Sequence, residues 1–193
     1  MPRLARPALL AFLLAGVLLA VPLAHAAGSR TVLNYGDSLA IGTDLFLDAY
    51  LRGWSVQSET DISRHAADVP RALRGLGPSL PRVIVVSAGT NDHPGAVSRF
   101  ARVVRETLAI AGPTRCVVWS TIMRPPYQGV SYAGYNHVLR TAAHRHAGLR
   151  VLDWAAMSQT HPGWFGKDGV HPSMAGYRAR AAATARLVQS CGA

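Results

Sequence analysis

Short apolar runs typical of β-strands alternate along this chain with amphipathic segments typical of helices. The clearest run is Val83–Val86, whose β-branched side chains without a polar break indicate a strand buried on both faces. Strands that alternate regularly with helices form a parallel sheet covered by helices on both faces. The sequence therefore predicts an α/β protein, a single-domain α/β/α three-layer sandwich with a five-stranded parallel sheet. The predicted strands cover residues 31–35, 54–57, 82–86, 115–122 and 149–152, and the predicted helices cover residues 39–51, 63–76, 97–111, 135–146 and 174–188.

Polar segments follow three of these strands. Gly36-Asp37-Ser38-Leu39 follows the first strand, and Gly89-Thr90-Asn91-Asp92 follows the third. Asp168-Gly169-Val170-His171-Pro172 lies beyond the fifth strand, before the last helix. In an open parallel sheet, ligands bind beyond the carboxyl ends of the strands. We therefore expect a serine, an asparagine and an Asp/His pair to meet at one edge of the sheet.

These residue types suit nucleophilic catalysis. A serine hydroxyl is a weak nucleophile until a base takes its proton, and the base needs a third group that holds its tautomer. A tight turn at Gly169 would let the Asp168 carboxylate reach the His171 imidazole, which would then face Ser38. The Asn91 side chain and the Ser38 backbone N–H could donate hydrogen bonds to a developing oxyanion.

Each polar segment also has a purely structural interpretation. A helix N-cap would explain Asp37 and Ser38. Ordinary turns would explain Asn91 and the pair Asp168-Gly169. The catalytic interpretation is favoured because all three segments follow strands at the same edge of the predicted sheet.

The three segments resemble the first, third and fifth sequence blocks of the SGNH/GDSL hydrolase family, in the same order. The resemblance extends over residues 27–193 and implies the flavodoxin-like fold of that family. It implies that Ser38 is the nucleophile, that His171 is the base and that Asp168 orients the base. It also implies that Asn91 and the Ser38 N–H belong to an oxyanion hole. An enzyme of this kind needs neither a metal nor a cofactor.

The second block of that family is the point at which this sequence departs from the pattern. That block should supply a glycine N–H between the second strand and the second helix. Asp61-Ile62-Ser63-Arg64 occupies the place without a glycine, and Ser63 aligns best. Because a backbone N–H needs no particular side chain, we expect Ser63 to complete the oxyanion hole with Ser38 and Asn91. A side chain here narrows the space beside the oxyanion and leaves room for a weakened or lost activity.

The N-terminus has the features of a secretory signal peptide over residues 1–26. Arg3 and Arg6 precede an apolar run from Ala8 to Val21, and Ala24-His25-Ala26 has the form of a cleavage site. The run is too short to predict a transmembrane helix, although an uncleaved N-terminal anchor stays open as an alternative. We therefore expect a secreted, extracytoplasmic protein whose hydrolase domain covers residues 27–193.

The chain is strongly basic, with a formal net charge of +10 that falls to +8 without Arg3 and Arg6. In an exported protein such charge favours solubility and a weak attraction to anionic envelope polymers. The arginines are spread over the sequence without interleaved aromatic residues, which argues against nucleic acid as a partner. No apolar segment downstream of the signal predicts stable membrane insertion.

Two cysteines, Cys116 and Cys191, lie in the predicted domain. An even count in an exported protein permits one disulfide, which would tie the C-terminus to the sheet. Two cysteines without further cysteine spacing make a structural metal site improbable.

The hypothesis that these features favour is a secreted serine esterase. It would hydrolyse carboxylic (O-acyl) esters through a Ser-His-Asp triad and an acyl-enzyme, with a small ester or an acylated glycan as substrate. Two alternatives stay open: an envelope-glycan O-acyltransferase of the same fold, and a catalytically silent binding domain.

Overall fold

The computed structural model of the protein describes Met1 and residues 30–191. Apart from Met1, the predicted signal peptide and its cleavage site lie outside the described residues. Among the described residues, no helix combines the length and the apolar character that crossing a membrane requires.

Five parallel strands form one sheet, as the alternating pattern predicts. They are β1 (Arg30–Gly36), β2 (Trp54–Thr60), β3 (Val83–Ser87), β4 (Cys116–Ser120) and β5 (Leu149–Leu152), in the order β2-β1-β3-β4-β5. The chain first adds β2 on one side of β1 and then returns to add β3 on the other side. The carboxyl ends of β1 and β3 therefore border the crevice at which this kind of sheet binds ligands.

Within residues 30–191, six α-helices flank the sheet. They are α1 (Ser38–Tyr50), α2 (Asp68–Leu76), α3 (Val97–Ala111), α4 (Ala133–Arg145), α5 (Trp154–Gln159) and α6 (Met174–Ser190). Sequence analysis did not predict α5, a helix of six residues that begins where the Asp153 side chain accepts a hydrogen bond from the Ala156 N–H. Short 3₁₀ turns at Gly77–Ser79 and Pro162–Trp164 complete the set.

The strand β3 divides the core into two layers, because its side chains alternate between the faces of the sheet. Val83 and Val85 pack in the cluster that includes α1 and α6, whereas Ile84 and Val86 pack in the cluster that includes α2, α3 and α4. All five residues of β3 are buried. The expected three-layer arrangement and the strand buried on both faces are confirmed.

The segment before α2 differs from the prediction. A helix was expected from residue 63, but residues 61–67 form turns and α2 begins at Asp68. Asn91 Nδ2 donates to the carbonyl oxygens of Ile62 and Arg64, and Asp92 Oδ2 accepts from the Ala66 N–H at 2.8 Å. These backbone groups bind the loop after β3, so they are not available for helical hydrogen bonds.

A disulfide joins Cys116, the first residue of β4, to Cys191, just beyond the end of α6. Their Cα atoms are 5.8 Å apart and the two residues are separated by 75 positions in the sequence. The expected pairing is therefore confirmed. In the chain-entropy description, closing a loop of this length stabilises the folded state by about 4 kcal/mol.

Candidate active site

A sharp turn between β1 and α1 presents Ser38. Asp37 is the N-cap of α1, and its buried carboxylate accepts a hydrogen bond from the Leu39 N–H at 3.0 Å. Gly36 allows the turn, since a Cβ on this residue would lie 2.2 Å from the Ser87 carbonyl oxygen. The absence of a side chain thus lets the end of β1 approach the end of β3 and places Ser38 at the first position of the helix.

Ser38 is hydrogen-bonded to His171, which comes from the loop before α6. The distance between Ser38 Oγ and His171 Nε2 is 2.9 Å, and the distance between His171 Nδ1 and Asp168 Oδ2 is 2.6 Å. A hydroxyl, an imidazole and a carboxylate are therefore aligned in the order that base-assisted nucleophilic attack requires. The structure brings together these three sequence-predicted residues across 133 positions of chain.

The turn that carries the Asp/His pair is closed by the carboxylate itself. Asp168 Oδ1 accepts hydrogen bonds from the backbone N–H groups of Val170 and His171, both at 3.0 Å. Gly169, the residue after Asp168, has φ +65°, a left-handed conformation in which a side chain would be strained. One carboxylate oxygen therefore shapes the turn while the other binds the imidazole.

The pKa of the Asp168 carboxyl is lowered from its ordinary value to about 2. The largest cause is the hydrogen bond from His171, followed by the backbone N–H groups of Val170 and His171. The carboxylate is consequently ionised throughout the neutral and mildly acidic range and stays a hydrogen-bond acceptor for the imidazole.

We expect a pH titration of the Asp168 carboxyl carbon by nuclear magnetic resonance to give a pKa of about 2. In the His171→Ala variant the pKa should rise toward the usual value of about 3.9, because the largest stabilising contact of the carboxylate is gone. Since the folded pKa is the lower one, this carboxylate stabilises the fold above pH about 4 and loses that effect as the pH falls toward 2. Both side chains are about half exposed, at 48% for His171 and 50% for Asp168, so the effect on stability is small. An unchanged pKa in the variant would contradict the assigned cause.

Asn91 contacts the turn that contains Ser63. Asn91 Nδ2 is 3.2 Å from the Ile62 carbonyl oxygen and 3.0 Å from that of Arg64, so it binds the turn that contains Ser63. The Asp61 N–H donates to the Gly36 carbonyl oxygen at 2.9 Å, which attaches the same turn to the end of β1. Within residues 30–191, no side-chain hydrogen bond joins Asn91 or Ser63 to Ser38 or His171.

The sequence did not predict that Asp37, Ser87 and Arg180 form a buried polar cluster behind Ser38. Ser87 Oγ donates to Asp37 Oδ1 at 3.3 Å and accepts from Arg180 Nη2 at 3.0 Å. Asp37 is fully buried and Arg180 is 1% exposed. Burial raises the pKa of Asp37 and lowers the pKa of Arg180 to about 10, and each charge partly offsets the effect of burial on the other.

A positional signal for Arg180 exists in the sequence. Gly176, Arg180, Thr184 and Val188 recur every four residues, and all four are buried on α6. An arginine on the apolar stripe of a helix is exceptional unless its charge is compensated. That pattern could have indicated an acidic partner, although nothing in the spacing would have identified it as Asp37.

A polar cavity of about 350 Å³ borders the turn that contains Ser63. Arg64 lies over the ring of Tyr35 at 4.4 Å, and Arg71 pairs with Asp68. The lining residues are Tyr35, Glu59, Asp61, Ser63, Arg64, Asp68, Arg71 and Ala72. The space beside this part of the site is thus rich in groups that form hydrogen bonds with hydroxyl and amide groups.

A sequence profile of the GDSL-like lipase/acylhydrolase family matches residues 16–179. The match covers most of the chain and includes the segments that carry Ser38, Ser63, Asn91, Asp168 and His171. No functionally curated protein matches the sequence.

Solved structures share the fold at low sequence identity. The C-terminal catalytic domain of peptidoglycan O-acetyltransferase A from Streptococcus pneumoniae has 19% identity and a TM-score of 0.66, with 84% of this chain and 92% of that chain covered. A lipolytic G-D-S-L family protein from Veillonella parvula has 16% identity and a TM-score of 0.68, with 83% and 98% covered. A family 3 carbohydrate esterase from Clostridium thermocellum has 14% identity and a TM-score of 0.61, with 83% and 98% covered.

Proposed function

The chain belongs to the GDSL-like lipase/acylhydrolase family and is a serine hydrolase, and on this premise we propose that it is a secreted esterase that cleaves carboxylic (O-acyl) esters. The observation that carries the proposal is the continuous set of hydrogen bonds from Ser38 through His171 to Asp168. In this proposal Ser38 is the nucleophile, His171 the general base and Asp168 the residue that orients the base.

The proposed reaction proceeds through an acyl-enzyme. His171 Nε2 takes the proton of Ser38 as Oγ attacks the ester carbonyl carbon, and the carbonyl oxygen becomes an oxyanion. The C–O bond to the alcohol then breaks, and the alcohol leaves with the proton from His171. A water molecule, deprotonated by the same imidazole, attacks the acyl-enzyme and releases the carboxylic acid and free Ser38. Asp168 keeps the proton of the neutral imidazole on Nδ1, so that every proton transfer takes place at Nε2.

The oxyanion is proposed to form at the start of α1. The Ser38 N–H belongs to the first turn of the helix and has no intrahelical acceptor, and the positive end of the helix dipole lies there. Ser63 N–H and the Asn91 side chain are the proposed additional donors, since the turn of Ser63 is bound to both the end of β1 and Asn91.

A polar alcohol is the proposed leaving group. The carboxylates of Glu59 and Asp61, next to Arg64, suit a hydroxyl-rich group such as a sugar better than an aliphatic chain. This favours an acylated glycan or another small ester as substrate, and no cofactor takes part in the proposed reaction. An O-acyltransferase is the second candidate, supported by the likeness in fold to the catalytic domain of a peptidoglycan O-acetyltransferase.

Export is part of the proposal. The signal-like residues 1–26 and the Cys116–Cys191 disulfide support it, because disulfides form and persist outside the reducing cytosol. On the surface of α3, three exposed arginines follow one another at intervals of three residues: Arg99, Arg102 and Arg105. Such a row supports a weak attraction to anionic envelope polymers and does not require nucleic acid as a partner.

The proposed function is tested with the oxidised wild-type protein and two reagents. We expect hydrolysis of p-nitrophenyl acetate and covalent labelling by a fluorophosphonate probe, with the adduct located on Ser38 by mass spectrometry of peptides. Heat-unfolded protein is the control, since labelling must depend on the assembled site. An adduct on another residue would contradict the assignment. A folded protein with neither hydrolysis nor labelling would instead support the silent binding domain.

The two enzymatic candidates are distinguished by product analysis. An esterase should release acetate from an O-acetylated chitooligosaccharide at the same rate with or without an added acceptor that lacks O-acetyl groups. A transferase should form the acetylated acceptor at the expense of free acetate.

A further inference from the structure

In the turn Asp61–Arg64, a hydrogen bond to Asn91 fixes the orientation of one exposed peptide group. The Arg64 N–H donates to the Asp61 carbonyl oxygen at 3.4 Å, which makes a four-residue turn with Ile62 and Ser63 at its centre. Both central residues are exposed, Ile62 at 67%, so packing does not hold the peptide between them. What holds it is a hydrogen bond to Asn91.

Asn91 uses its amide group on this turn. An amide nitrogen carries two hydrogens, and Asn91 Nδ2 has two acceptors, the carbonyl oxygens of Ile62 at 3.2 Å and Arg64 at 3.0 Å. In this arrangement the Ile62 carbonyl oxygen occupies the place beside Asn91 that a substrate oxygen would need. Asn91 has no remaining N–H to donate to that substrate oxygen.

The same peptide group directs the Ser63 N–H away from Asn91. A trans peptide is planar, and its C=O and N–H point in opposite directions. The described residues contain no cis peptide bond. Because the Ile62 carbonyl points toward Asn91, the Ser63 N–H of the same peptide points away from it. The two proposed donors therefore cannot bind one oxyanion in this arrangement.

Rotation of this one peptide by about half a turn would correct both features. It would release one Asn91 N–H and bring the Ser63 N–H to the position that the Ile62 carbonyl oxygen occupies. In a four-residue turn, such a rotation converts type I into type II, which requires a positive φ at the third residue. Ser63 is that residue, and Gln128 is the only described non-glycine residue with positive φ.

We infer that the Ile62–Ser63 peptide gates the oxyanion hole, and that the side chain of Ser63 limits how often the gate opens. This inference rests on the proposed function. In the closed arrangement Asn91 binds the Ile62 carbonyl; in the open one Asn91 and Ser63 N–H both face the substrate oxygen. The Cβ of Ser63 disfavours the open arrangement, so only a fraction of the molecules is ready to react, and the rate falls by that fraction.

Ser63→Gly should therefore increase activity. We expect kcat/KM for p-nitrophenyl acetate and the rate of fluorophosphonate labelling to rise roughly tenfold, the order by which a Cβ disfavours positive φ. Ser63→Ala is the comparison variant, because it removes the hydroxyl but keeps the Cβ, so the open arrangement stays disfavoured and the tenfold gain of Ser63→Gly should not appear. Ile62→Gly is the second comparison variant. Because the second residue of the turn has negative φ in both arrangements, a glycine at this position should not produce the gain expected for Ser63→Gly.

The structure of the fluorophosphonate adduct provides a direct test. In the Ser63→Gly adduct we expect the Ile62 carbonyl turned away from Asn91, with the phosphoryl oxygen bound by Asn91 Nδ2 and the residue 63 N–H. An adduct in which the Ile62 oxygen still accepts from Asn91 would overturn the gate. An equal gain in Ser63→Ala, or no gain in Ser63→Gly while wild type is active, would overturn it as well. Absence of hydrolysis and labelling in all four proteins would overturn the proposed function and the gate with it.

Discussion

Replacing Ser38 by alanine should abolish acyl-enzyme formation and lower kcat by about 10⁶-fold, the loss that follows removal of the nucleophile in serine hydrolases. The reason is chemical: the variant has no hydroxyl to form the covalent bond, whatever ester is offered. Fluorophosphonate labelling should disappear in parallel. The decisive measurements are the rate of p-nitrophenyl acetate hydrolysis and the intact mass after incubation with the probe.

The Ser38→Ala variant should nevertheless fold. Ser38 is half-buried and its side chain makes one hydrogen bond, to His171, so the melting temperature should change little. Ser79→Ala, at an exposed serine in a 3₁₀ turn, is the control for the substitution itself and should keep full activity. Undiminished labelling of Ser38→Ala would move the nucleophile to another residue.

Replacing Arg180 by alanine should lower the free energy of unfolding by about 3–5 kcal/mol, the order of the cost of leaving a buried charge uncompensated. Arg180 and Asp37 both bind Ser87 Oγ, and each charge compensates the other through this bridge. Asp37 would remain fully buried, with Oδ2 already lacking a hydrogen bond within the described residues. Ser87 Oγ would also lose the donor that now binds it. Urea unfolding of the oxidised protein, followed by circular dichroism, measures the change.

Two further variants separate the buried charge from other effects of the substitution. Arg186→Ala removes an exposed arginine from the same helix and should alter stability by no more than about 0.5 kcal/mol. The double variant Asp37→Asn/Arg180→Met removes both charges and keeps a capping side chain, so it should recover most of the lost stability. If the double variant is as unstable as Arg180→Ala, loss of packing rather than an unpaired charge is the cause.

The strands and the proximity of Ser38, Asp168 and His171 were predictable, because the pattern of apolar runs and the polar segments that follow them can be read from the sequence. An unbroken β-branched run such as Val83–Val86 can be buried on both faces of a parallel sheet, and the polar segments follow strand ends. In a parallel sheet all strand ends of one kind lie on the same edge. Spacing along the chain therefore determined proximity in space for residues as distant as Ser38 and His171.

The turns before α2 and the charge behind Ser38 were not predictable, because contacts distant in sequence determine them. Residues 63–67 follow a helical pattern, yet Asn91 and Asp92 bind their backbone groups and prevent the helix there. The spacing along α6 indicates that Arg180 is buried, but only the packing of α6 against the sheet brings it to Ser87. Propensity is a weak prior that such contacts override.

The position of the disulfide has a consequence for catalysis as well as for stability. Residues 153–191 carry Asp168 and His171 but add no strand to the sheet, so they form the part of the fold that could open while the sheet stays intact. Without the Cys116–Cys191 bridge this segment would be covalently attached at its N-terminal end only, and the packing of α6 against α1 and the sheet would alone hold its C-terminal end. With the bridge it is anchored at the first residue of β4, and any opening is confined to a closed loop. Reduction of the bridge is therefore expected to loosen the segment that holds His171 against Ser38.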